Sequence, residues 1–132
     1  MYLKRLWYLL VLPLFMLAPV VYAGDAESIK TMANIMIHLN HYPSDSEKSK
    51  LQTIADNSKS QDIRIIAIAI KDLRHTPSSA DKVQLQKVMD DKQASHELKQ
   101  LASIVYHVHH HPNSDAKKQL STMINFASDY QP

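Results

Sequence analysis

An all-α fold of three helical hairpins, six helices in all, is predicted by three observations. The first is an internal repeat at spacings of 34 and then 35 residues: Ala33, Ala67 and Ala102 share a column, as do His41, His75 and His110, Pro43, Pro77 and Pro112, Lys48, Lys82 and Lys117, and Leu51, Leu85 and Leu120. A fixed period of this length marks one structural unit used three times. The second is apolar spacing. Ile29, Met32, Ala33, Met36 and Leu39, then Ile63, Ile66, Ala67, Ile70 and Leu73, then Leu98, Leu101, Ala102, Val105 and Val108 step by three, one, three and three, a single stripe on a helix. The third is glycine: Gly24 is the only one, which disfavours tight positive-φ hairpins and suits helices joined by polar loops.

Ahead of the repeat, Lys4 and Arg5 precede an apolar run from Leu6 to Val21, and Val21-Tyr22-Ala23 has the small residues of an export cleavage site. Residues 1–23 are therefore expected to be a signal peptide and 24–132 a single mature helical-repeat domain, periplasmic or secreted. Pro13 and Pro19 interrupt the run, which suits a cleaved leader better than a retained anchor. No later stretch is long enough to span a bilayer.

The copies fall at about residues 25–57, 60–91 and 94–128. In each, the first helix is expected to end near Tyr42, Thr76 or His111, because the following proline restricts its predecessor. Ser44, Ser78 and Asn113 then offer N-caps, and Ser44 with Glu47 has capping-box spacing. Second helices follow on Leu51, Ile54 and Ala55, on Leu85, Val88 and Met89, and on Leu120, Met123 and Ile124. Polar stretches at 57–61 and 90–93 separate the copies. Stacked hairpins of this kind form a small α-solenoid or close into a compact helical bundle. The unit length suits tetratricopeptide-like or HEAT-like pairs, without the tryptophan, glycine and tyrosine signature of the former.

Composition excludes several chemistries. Without cysteine there is no disulfide framework, thiolate metal site or thiol nucleophile. Without interior glycine, phosphate-cradling loops and nucleophile elbows are absent in their usual form. Loss of Lys4 and Arg5 with the leader leaves thirteen basic against thirteen acidic residues, a poor balance for nucleic acid. No enzyme is expected. The function expected is a non-enzymatic surface for another exported protein or peptide.

Eight histidines, all after the leader, carry the alternative, a metal-binding or metal-buffering protein. His107, His109, His110 and His111 crowd the end of the fifth helix, and on a helix His107 would share a face with His110 and with His111. Such pairs suit copper, nickel or zinc. Asp115 lies close enough in sequence to add an oxygen, and His38 with His41 is a thinner echo. The repeat histidines His41, His75 and His110 are read instead as helix-terminal groups that answer unpaired carbonyls. Packed helices stand about 8–10 Å apart, which argues against the three sharing one ion. Met32 and Met36 lie on the core stripe and read as packing. The recurrent lysines read as partners of Glu47, Asp81 and Asp115.

Overall fold

A computed structural model describes residues 23–129, so the expected leader lies outside the described residues but for Ala23. The described chain is entirely helical: α1 (Ala23–Ile37), α2 (Asp45–Asn57), α3 (Gln61–Lys71), α4 (Ser79–Asp90), α5 (His96–His107) and α6 (Ser114–Asp129). None of these helices is long and apolar enough to cross a membrane.

Capping explains where most helices begin. Ser44 accepts from the Glu47 amide while Glu47 reaches back to the Ser44 amide, completing the capping box at α2. Ser60, Ser78 and Ser95 take the amides of Ile63, Asp81 and Leu98 in the same way, and Asn113 Oδ1 accepts from Ala116.

The first helix of each copy ends earlier than its sequence suggests, at Ile37, Lys71 and His107. The cause is a five-residue run anchored at both ends. Leu39, Leu73 and Val108 are buried, and so are Pro43, Pro77 and Pro112. Bonds from the amides of Leu39, Leu73 and Val108 to the carbonyls three residues back tighten the last turn and stop the helix.

Packing follows the repeat but not the hairpin. The most extensive packing is between copies, α2 along α3, α4 along α5, and α6 returning along α1, while the two helices of one copy meet less, α3 with α4 more than the other two pairs. The inner helices α1, α3 and α5 also touch one another. The result is a closed bundle with threefold pseudosymmetry, and the open solenoid does not form. Each inner helix buries more than one stripe, because Ile35, Ala69 and Ile104 form an additional buried column. Leu51, Leu85 and Leu120, one per outer helix, are fully buried. Met32 and Met36 are also fully buried, which places them in the core.

Candidate metal centre

The five-residue runs bring His41, His75 and His110 to one place. Each occupies left-handed backbone, with φ of 73°, 67° and 64°. At each, the next residue's amide donates back across the histidine: Tyr42 to Asn40 O at 2.9 Å, Thr76 to Arg74 O at 2.8 Å and His111 to His109 O at 2.8 Å. These are three-residue turns of the rare positive-φ type. Scarcity of glycine goes with helices and no hairpin strands among the described residues, yet positive φ is still used, and histidine takes that role at all three places.

The backbones of the three histidines close a ring. His41 N–H donates to His110 O at 2.7 Å, His110 N–H to His75 O at 2.7 Å, and His75 N–H to His41 O at 2.8 Å. Every amide and carbonyl of the trio is thereby satisfied within it. The cycle links all three copies at one end of the bundle and fixes the Cα positions from which the imidazoles project.

The side chains converge accordingly. Ring centroids lie 5.1 Å apart for His41 and His75, 4.9 Å for His41 and His110, and 4.8 Å for His75 and His110, all edge to face. One nitrogen from each ring falls within 4.8 Å of the other two, so the three imidazoles are close enough to hold a metal ion together. Three nitrogens bound at about 2.0–2.1 Å in tetrahedral array stand roughly 3.3–3.5 Å apart. His75 Nδ1 and His110 Nδ1, 3.0 Å apart, are already at about that spacing. The trio are therefore not helix-terminal groups kept apart by helix packing, the spacing that had argued against one shared ion. They sit three or four residues beyond the helices, on turns that meet, so the spacing of packed helices does not limit them.

Neighbouring groups set the rings. Asn40 Oδ1 lies 2.7 Å from His41 Nδ1 and accepts its proton, which leaves the Nε2 lone pair of His41 free. His75 and His110 face each other through their Nδ1 atoms at 3.0 Å, within hydrogen-bond distance. Desolvation, followed by the nearby imidazoles of His109, His75, His41 and His111, holds His110 below the usual histidine range. It therefore favours the neutral, ligand-competent form. The carbonyl ends of α1, α3 and α5 lie toward the trio, a polarity that favours a cation.

Of the four histidines that the sequence offers as metal ligands, His107, His109, His110 and His111, only His110 belongs to this group; His41 joins it from the thinner pair with His38, and His75 from the helix-terminal reading alone. α5 stops at His107, so the helical face that would pair His107 with His110 and His111 does not exist. His107 Nδ1 donates to Ser103 O at 2.9 Å, His111 Nδ1 to Pro112 O at 3.2 Å, and the His109 ring stands edge-on to His110 at 4.3 Å. His107, His109 and His111 line a shallow recess of about 410 Å³ with Asp115, whose carboxylate lies 4.0 Å from Lys118. His38 Nδ1 turns back to Asn34 O at 2.9 Å. Among the described residues, the trio is the one group of three or more histidine and carboxylate side chains arranged to share an ion.

The recurrent lysines do not pair with the acids expected of them. Lys48 lies over the Tyr42 ring at 6.0 Å and Lys82 over Tyr106 at 5.2 Å. Glu47 and Asp81 are used in capping instead. Comparison with known proteins finds no matching family model, no matching curated protein and no matching solved structure, so the three converging histidines stand on their own geometry.

Proposed function

We propose that this chain is a non-enzymatic binding protein for a divalent transition metal, copper, nickel or zinc, held by His41, His75 and His110. With residues 1–23 read as an export leader, the ion is bound outside the cytoplasm. The observation that carries the reading is the closed backbone ring that aims three imidazoles at one point. A structural role for these residues would need neither their strained conformation nor identical side chains in three copies. Three neutral nitrogens suit borderline ions, and calcium or magnesium would require oxygen ligands. Partial exposure of the trio suits a site that takes up and releases its ion.

The expected alternative, a surface for a protein partner, has less in its favour. The most exposed large apolar side chains, Tyr42, Val83 and Phe126, sit on a loop, α4 and α6 and not on one element.

Calorimetric titration of untagged mature protein with zinc, copper(II) and nickel tests the reading. One equivalent should bind saturably at micromolar or tighter affinity. His41→Ala, His75→Ala and His110→Ala should each weaken it at least tenfold, about 1.4 kcal/mol. Joint replacement of His107, His109 and His111 should change it by less than roughly threefold, because none of them points into the ring. Affinity should fall as the solution is made acidic, because protons compete for the same lone pairs. No saturable binding, or binding that disappears only with the outer three histidines, would overturn the assignment.

A further inference from the structure

Threefold pseudosymmetry gives the bundle three equivalent junctions where the loop and second helix of one copy meet the loop of the next. They are not chemically equivalent. Between copies one and two lies a cavity of about 610 Å³ whose walls include Tyr42 and Lys48 from one side and Lys71, Asp72, Arg74 and His75 from the other. The volume is that of a small-molecule site. At the junction of copies two and three the corresponding residues are Thr76 and Lys82 against Tyr106, His107, His109 and His110. There the Tyr106 ring takes the place of Lys71 and lies against Lys82. Between copies three and one they are His111 and Lys117 against Ile37, His38, Asn40 and His41. Three permanent cations are gathered only at the first junction.

Two of those cations are uncommitted. Lys71 donates to Gln52 Oε1 at 2.8 Å and lies 3.7 Å from Asp72, so its charge is partly answered. Among the described residues Arg74 has no side-chain hydrogen bond or ion pair, and Lys48 has only the face of Tyr42. A guanidinium is shaped for two parallel bonds to a carboxylate or phosphate. Tyr42, 60% exposed, adds an aromatic face beside it.

We propose that this junction binds a small organic anion, a carboxylate or phosphate ester on a planar apolar body. Its charged head lies on Arg74 and Lys48 and its body against Tyr42. The site does not depend on the metal reading, and the test uses metal-free mature protein at low ionic strength, where exposed charges are least screened. The probes are phenyl phosphate, benzoate and inorganic phosphate, followed by calorimetry. Saturable binding of phenyl phosphate or benzoate, tighter than inorganic phosphate by at least roughly fivefold, is expected, and the preference between the two identifies the head group. Arg74→Ala should weaken binding about tenfold, and Tyr42→Ala should abolish the advantage of the aromatic probes. Lys82→Ala, at the equivalent place in the next junction, should leave the constants unchanged. No saturation by about 10 mM, or equal affinity in the Arg74→Ala protein, would overturn the proposal.

Discussion

A histidine held at φ of 64° to 73° costs the backbone about 1–2 kcal/mol, and the chain bears this cost at three turns. Histidine is among the side chains more often found there, but glycine would relieve the strain at no steric cost. Strain retained in all three copies therefore points to the ring as the reason. His75→Gly tests this: urea stability of the metal-free protein should hold or rise by about 1 kcal/mol, while zinc affinity falls at least tenfold. His75→Ala should lose the same affinity with no gain in stability. Marked destabilisation by glycine would show that the imidazole supports the fold. The recurring histidine was visible in the sequence, but its conformation was not. The turn depends on bonds to two other copies, and no local pattern reports those.

Helix boundaries show what local patterns do and do not carry. Serine caps and the Ser44–Glu47 box are short-range devices, and they form as their spacing implies. Inner-helix ends moved by four or five residues because the buried leucine or valine of each run is held by tertiary packing, which the spacing of apolar residues does not separate from one more helical turn. A similar long-range meeting occurs where the first turn of α3 approaches the end of α4. Desolvation, with a hydrogen bond and repulsion from Asp91, raises Asp62 to about 6. Asp91 is lowered, chiefly by the Gln93 amide and then by Asp62. Protonated Asp62 thus adds stability that is complete below pH 3.8 and fades as pH rises through about 6. Asp62→Asn, which needs no proton to donate, should be more stable than wild type at pH 7.5 by about 1 kcal/mol or less after solvent screening. The advantage should vanish near pH 4, as urea midpoints at the two pH values would show. An equal difference at both would mean the carboxyl pair does not share a proton.

Three copies, six helices and most of the core were legible because each amphipathic helix carries its own period. Ile29, Leu51 and their equivalents are buried where that period places them. The partner of each face was not legible. A stripe states that a helix is covered, and the cover came from the next copy and, for α1, from α6. That closure determined the site, since only a ring brings residues 41, 75 and 110 together. His107, His109, His110 and His111 are close in sequence, but the histidines that meet in space are His41, His75 and His110.

A ring also has no privileged point of entry. With α6 lying along α1, residues 23 and 129 belong to neighbouring helices, and the polar links at 58–60 and 91–95 join equivalent positions elsewhere in the cycle. In a protein cut back to residues 23–129, a short tether from 129 to 23, with new ends opened near Lys59, would give a circular permutant. Its helices would follow in the order α3, α4, α5, α6, α1, α2, and every contact described above would be kept.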